Sequence, residues 1–293
     1  MAAFKRIGVL AHPLRPQTAP VARQIAAYLQ AHGVDSWHSA RWDEQQVSEQ
    51  VRDSDMVVAI GGDGSMLRAA RVCSLYNVPV LGVNMGYLGF LTEISGPDSW
   101  EQPINTVLHG TYWIEERMMI RAELLRNGVA IASGDALNDV VISRKVATRM
   151  ILLETYIDKD WATTYNADAL IIATATGSTA YALACGGPIL PPELRNILIV
   201  PVAPHLSMDR PIVLSEGATV EAISGEENDT GVVLTLDGMM IGDVRPGDVV
   251  RVYASPLISR FVRLRERNYF YRSLLDRLEP RVPVRAEPER KQI

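Results

Sequence analysis

The chain has 293 residues, 47% hydrophobic and 22% charged, with a formal net charge of −5 at pH 7. That length exceeds one ordinary domain, and the composition fits a globular protein with a substantial core, not a disordered or fibrous one. The acidic balance argues against general nucleic-acid binding, two cysteines are too few for a disulfide framework or thiolate cluster, and no apolar run reaches the roughly 18 residues that span a bilayer, so a cytoplasmic protein without a membrane partner or signal peptide is expected.

Lys5 to Leu10 reads as a short strand, and Val21, Ile25, Tyr28 and Leu29 recur at helical spacing up to Ala31, where Gly33 stops the helix. A second helical stretch leads to the apolar strand Met56 to Ile60, a turn at Gly61–Gly64, a helix to about Tyr76 and a strand at Val78 to Val83. This β-α-β-α-β rhythm predicts a parallel, doubly wound α/β domain with ligands at the carboxyl ends of its strands. The turn after the first strand, His12-Pro13-Leu14-Arg15-Pro16, lacks the Gly-x-Gly-x-x-Gly fingerprint and disfavours a standard dehydrogenase.

Near residue 117 the rhythm changes. Met118–Leu125 and Val129–Ala132 flank the hairpin signal Asn127-Gly128. Strands are then expected at Val140–Ser143, Met150–Asp158, Leu170–Ala173, Ile197–Val202, Pro211–Leu214, Thr219–Ile223, Val232–Leu236, Val249–Tyr253 and Phe261–Leu264. Many short strands with little helix between them predict an all-β, sandwich-like domain. The arginines between Arg260 and Arg277 read as a solvated or interdomain face, and Tyr269 to Leu278 as an amphipathic helix packing back on the first domain. The expected division is 1–112 with 266–280 returning to it, 113–265, and a disordered tail at 281–293.

Gly61-Gly62-Asp63-Gly64-Ser65 is the most informative segment. Glycines let a polyphosphate approach the backbone, and the positive end of the following helix favours the same anion. A carboxylate facing phosphates needs a reason: a metal, a hydroxyl proton or a sugar hydroxyl. That points to phosphoryl transfer, the plain alternative being a tight turn with a capping aspartate. Asn84 to Leu91 is either a second ligand-facing loop or a turn that buries Leu88 and Phe90. Asn138-Asp139 offers an amide suited to an adenine edge and a carboxylate suited to ribose hydroxyls, or is an Asx turn. Asn166-Ala167-Asp168 precedes a strand running into Thr174 to Tyr181, where small residues leave backbone donors accessible and Tyr181 offers a flat face, or where a helix is merely capped. Cys73 and Cys185 are expected to be inert thiols.

In this order and spacing the segments resemble the NAD kinase family, joined by Gly186-Gly187-Pro188-Ile189, Pro204-His205, Arg210-Pro211 and Asp237-Gly238. The resemblance implies ATP-dependent phosphorylation of the 2′-hydroxyl of the adenosine ribose of NAD, with magnesium (Mg2+), in a homodimer or homotetramer that binds NAD between its two domains. It implies Asp63 as the proton acceptor and Gly61, Gly62 and Gly64 as the phosphate-donor turn. For NAD it implies Asp63, Gly64, Arg68, Asn138, Asp139, Arg149, Asn166, Asp168, Thr176, Thr179, Ala180, Tyr181, Ala182, Leu183 and Ala184. The chain departs from the family at Asp139 (often Glu), Ala175 (usually Pro), Ala184 (usually Ser) and Met239 (commonly Gln), and His205-Leu206-Ser207-Met208-Asp209-Arg210 keeps the length of the usual segment but not its pattern of serines. Two rivals remain: a kinase of another hydroxyl, since phosphofructokinases and diacylglycerol kinases share the Gly-Gly-Asp-Gly turn, and a non-catalytic NAD(H) sensor.

Overall fold

The computed structural model describes residues 4–41, 44–86, 89–146, 149–228 and 231–278. The expected tail at 281–293, and Tyr87 and Leu88, lie outside the described residues. The first part runs β1 (Arg6–Leu10), α1 (Thr18–Ala31), β2 (Asp35–Ser39), α2 (Glu44–Arg52), β3 (Met56–Ile60), α3 (Asp63–Ser74), β4 (Val80–Asn84), β5 (Ile94–Ser95) and α4 (Glu101–Leu108). Strands β6 (Trp113–Arg126), β7 (Val129–Ala136), β8 (Asp139–Arg144), β9 (Ile151–Ile157), β10 (Asp160–Ala167) and β11 (Ala169–Thr174) follow, then the one-turn helix α5 (Tyr181–Ala184). The chain closes with β12 (Asn196–Val202), β13 (Ile212–Ser215), β14 (Val220–Ser224), β15 (Val232–Leu236), β16 (Met239–Val244), β17 (Val249–Arg263) and α6 (Tyr269–Leu278).

Strands β2, β1, β3 and β4 lie side by side in parallel, as the alternating pattern predicts. Their apolar residues point both ways because both faces are covered. Ile25 and Leu29 of α1 and Ile104 and Val107 of α4 pack with Ile7, Val9 and Val58, while Val51 of α2 and Met66 and Ala70 of α3 pack with Leu10, Val57 and Ala59. Each such fully buried aliphatic side chain contributes about 1.5–3 kcal/mol of transfer free energy.

The parallel sheet does not end at β4. Phe261 of β17 pairs in parallel with Val80, and β17 also pairs antiparallel with β6 and β14, so the sheet continues through β14 and β9 to β10 and is mixed as a whole. A second, antiparallel sheet has the order β13-β12-β11-β8-β15-β16. Ile120 and Leu124 from the first sheet interdigitate with Val140, Ile142, Ile172 and Leu234 from the second, which makes the expected sandwich.

Strands β2, β10 and β16 and helix α4 are not among the expected elements. The three strands are sheet edges. An edge strand buries one side at most and carries polar residues, as in Asp160-Trp161-Ala162-Thr163-Thr164-Tyr165, so its alternation is weak. Strand β17 is continuous where two strands are predicted, because a register shift between Ala254 and Ile258 breaks the alternation without breaking the pairing.

Candidate functional site

Strand β3 is buried along its length and delivers the chain to Gly61, whose N–H donates to the Val83 carbonyl at 2.8 Å and whose φ is +149°. Gly62 is the extended N-cap of α3, so the helix begins at Asp63, earlier than the sequence pattern suggests. A carboxylate in a first helical turn is favoured by the helix dipole. Here it is also anchored: the Phe90 N–H donates to Oδ2 at 2.9 Å and the Leu91 N–H to Oδ1 at 3.0 Å. The loop after β4 therefore wraps this side chain. Gly89 is required for that approach, since a Cβ there would lie 1.9 Å from Oδ1 of Asp63.

Two adjoining cavities open beside the turn. One, about 270 Å³, is lined by His12, Gly64, Ser65, Arg68, Arg71 and Met239 among others, and the second, about 410 Å³, by Asn138, Asp139, Val141, Ser143, Ala180, Tyr181 and Thr235. Leu67, Asp237 and Gly238 belong to both and form their common wall. A larger cavity of about 670 Å³, between Glu123, Lys159, Glu221 and Arg251, contains none of these residues.

Asp237 organises the wall. With φ at +47° it accepts the N–H groups of Leu137 at 2.9 Å, Asn138 at 2.8 Å and Asp139 at 3.2 Å. That turn lets the neighbouring Asn138 and Asp139 line one cavity, which a regular strand would forbid. Asp139 is 7% exposed, and its carboxyl is pushed up to about 7, first by burial and then by the charge of Asp237. Burial also raises Asp237, partly offset by the three N–H donors.

The remaining expected residues line neither cavity. Oδ2 of Asp168 accepts from Nη2 of Arg144 at 2.7 Å, and the Asn166 backbone is bonded to His205 and Ser207. Oγ1 of Thr176 accepts from Nη1 of Arg117 at 3.1 Å, and the Thr179 hydroxyl donates to the Thr176 carbonyl at 3.2 Å. Ala182 is buried, Leu183 half-buried, and Ala184 and Arg149 exposed. Burial raises both cysteine thiols, in keeping with inert cysteines.

At its centre the arginine-rich stretch is not the solvated face that is one of its two readings. Arg263 is fully buried. Its Nε donates to Glu115 at 2.7 Å and its Nη1 to the Leu91 carbonyl at 2.9 Å and to Glu93 at 3.2 Å. Arg117 and the Tyr269 hydroxyl also bond Glu115, at 2.9 Å each. Burial pushes the Glu115 carboxyl up, but the guanidinium charges of Arg263 and Arg117 outweigh it and hold it below the usual range. Arg117, Arg144, Arg263 and Arg71, which approaches the Met239 sulfur, escape a sequence reading because their pairing is long-range. Among the described residues no group of three His, Cys, Asp or Glu side chains could hold a metal ion, and no helix is long and apolar enough to cross a membrane.

Residues 7–112 match the family model described as ATP-NAD kinase N-terminal domain, and residues 137–264 the one described as ATP-NAD kinase C-terminal domain. A curated NAD kinase of Chloroflexus aggregans is 40% identical over 275 residues, covering 94% of this chain and 99% of that protein. One from Pseudomonas fluorescens is 44% identical over 216 residues, covering 74% of this chain and 73% of that protein. Among solved structures, yeast NADH kinase complexed with NADH superposes with a TM-score of 0.82 at 21% identity, covering 98% of this chain and 90% of that one. An NAD kinase from Archaeoglobus fulgidus in complex with ATP gives 0.72 at 22% identity, covering 92% and 97%. At those identities the likeness concerns the fold.

Proposed function

The chain belongs to the NAD kinase family, a phosphotransferase family, and from that premise we propose that Asp63 orients and finally deprotonates the 2′-hydroxyl of the adenosine ribose of NAD while ATP is held over the glycine turn. One observation carries this reading: the anchored carboxylate stands at the start of α3, one residue before Gly64, which lines the first of two cavities that share Leu67, Asp237 and Gly238.

The two cavities divide the substrates. Gly64 and the start of α3 present backbone donors to the donor triphosphate, and Arg68, expected as an NAD contact, lines the same cavity and adds positive charge there. Asn138 offers donor and acceptor to the adenine, Asp139 accepts from ribose hydroxyls, and the half-exposed Tyr181 ring stacks on the base. Thr176, Thr179 and Ala182 to Ala184 shape the segment that carries Tyr181, and Arg149, Asn166 and Asp168 belong to the same nucleotide side. That one solved relative is complexed with NADH and another with ATP supports binding of both substrates on this fold.

A ribose hydroxyl is far less acidic than a carboxylic acid, so early proton removal is unfavourable. In a loose phosphoryl-transfer transition state the proton leaves late, and positioning with charge neutralisation carries most of the rate. The two N–H donors on Asp63 fix its oxygens for that task. Magnesium would supply counter-charge to the triphosphate when bound, and because among the described residues no cluster of His, Cys, Asp or Glu could hold it, it would have to arrive with the donor phosphates. The domain division at residues 112 and 265, a cytoplasmic location and a homo-oligomer belong to the same reading. Exposed Val129 and Ile131 on β7 and Met240 on β16 offer apolar surface for the last.

Incubation with NAD or NADH, ATP or polyphosphate, and magnesium, followed by detection of the 2′-phosphorylated product, tests the activity. Asp63→Asn is expected to lower turnover by about 100-fold or more with NAD affinity little changed. An amide cannot accept from both Phe90 and Leu91 N–H groups and has no basic oxygen. Near-normal turnover would remove Asp63 from its role.

A further inference from the structure

The turn after β1, which the reaction described so far leaves unused, brings an imidazole to the cavity on the Gly64 side. The Leu14 N–H donates to Nδ1 of His12 at 3.0 Å, and the His12 backbone N–H is tied to the Thr18 hydroxyl at 2.9 Å. Because an amide can only donate, Nδ1 is the acceptor and the ring proton sits on Nε2. No described residue bonds Nε2. Burial, then the charges of Arg15 and Arg68, lowers the imidazole below its ordinary value, which favours the neutral ring in the free protein.

A second donor stands beside it. Ser65 is 4% exposed and lines the same cavity; its Oγ lies closed off beside Gly61 without a hydrogen-bond partner among the described residues, and a turn about χ1 is what presents it to a ligand. Both side chains flank Gly61: a Cβ there would lie 2.1 Å from Oγ of Ser65 and 3.6 Å from Cδ2 of His12. A buried hydroxyl without a partner costs free energy, which a ligand acceptor in this cavity would recover.

We propose that His12, through its Nε2–H and together with the Ser65 hydroxyl, binds a non-bridging oxygen of the donor polyphosphate. The proposal rests on reading this cavity as the donor side of the NAD kinase site. A neutral donor suits the position: Arg68 and Arg71 already supply charge there, and a hydrogen bond to an anionic oxygen orients it.

The test separates the two ring nitrogens. In His12→Asn the amide occupies the place of Nδ1, so the bond from Leu14 can be kept while the Nε2 donor is lost. His12→Gln does the reverse. Expected is an increase of about tenfold in the KM for ATP in His12→Asn, the same weakening of inhibition by inorganic triphosphate, and an unchanged KM for NAD, with His12→Gln within about threefold of wild type. The melting temperature of each variant reports the loop's structural share. Normal ATP and triphosphate behaviour in His12→Asn, or a defect in His12→Gln alone, overturns the proposal and leaves His12 a loop anchor. Wild-type protein that makes no NADP, or a fully active Asp63→Asn, would instead overturn the reading of the site, so the two failures are told apart.

Discussion

At the scale of single residues, Asp139 in the second cavity, beside Asp237 of the common wall, sets a pH dependence. Asp139 titrates near 7 in the folded chain, against an ordinary 3.8, so between those values the folded state holds more protons than the unfolded one. The contribution of Asp139 to stability therefore falls as pH rises from about 4 through 7, and is lost once Asp139 is charged. Ligand binding runs the other way, because accepting from a ribose hydroxyl is a task for the ionised form. The KM for NAD is expected to rise as pH falls below about 7, while Asp139→Asn gives a weaker but flat profile and a higher melting temperature at pH 8. A KM for NAD that is equally flat in the wild type between pH 6 and 8 would contradict the role given to Asp139. The sequence shows the pair Asn138-Asp139 but not its environment. Asp237, about a hundred positions away, makes the turn and supplies the charge, and no local pattern encodes that meeting.

At the scale of elements, the loop after β4, the strands β6 and β17 and the helix α6 meet in one buried ion cluster. The Leu91 peptide is its link to the chemistry: its N–H holds Asp63 and its carbonyl receives Arg263. On the other side Arg117 reaches Thr176, at the end of the strand that carries the nucleotide segment. Helix α6 closes the cluster with the Tyr269 hydroxyl, and Phe270 packs near Phe90 at 6.3 Å between ring centroids. The periodicity from Tyr269 to Leu278 announced this helix and its return to the first domain. It could not announce that the arginines before it turn inward, because a charge run normally marks a solvated face. Arg263→Met is expected to destabilise the fold by about 3–5 kcal/mol, leaving Glu115 and Glu93 buried with fewer partners. Arg260→Met, at a partly exposed pair with Glu116, should cost at most about 1 kcal/mol. Urea unfolding of the two variants measures the difference, and equal effects would mean that Arg263 is not the centre of the cluster.

For the whole molecule, the alternation of strand and helix up to Asn84 and the run of strands after Trp113 suggested two independent units, and each pattern was legible because each unit buries its own apolar set. What joins them is not legible, since the β17 region reads as two strands with a gap from Ala254 to Arg260. In the fold this one strand of fifteen residues pairs with β14 at its start, with β6 along most of its length and with β4 through Phe261. Val262 lies in the core between α1 and α4, whereas Val250 and Val252 lie in the core of the sandwich. Unfolding either unit would strip β17 of half its partners and expose the Arg263 cluster, whose charges are costly without one another. A chain of this length often unfolds in steps, but the shared strand argues for one step. Thermal unfolding without ligand is therefore expected to be a single transition, coincident by tryptophan fluorescence, to which the buried Trp100 of the first unit contributes, and by far-UV circular dichroism, to which the strands of both units contribute. Two resolved transitions would show that β17 can be released from one sheet while it stays in the other. In that case Asp63, anchored through Leu91 on the first side, and Asp139 on the second would be held in register by substrate, not by the fold, and adding NAD should merge the two transitions into one.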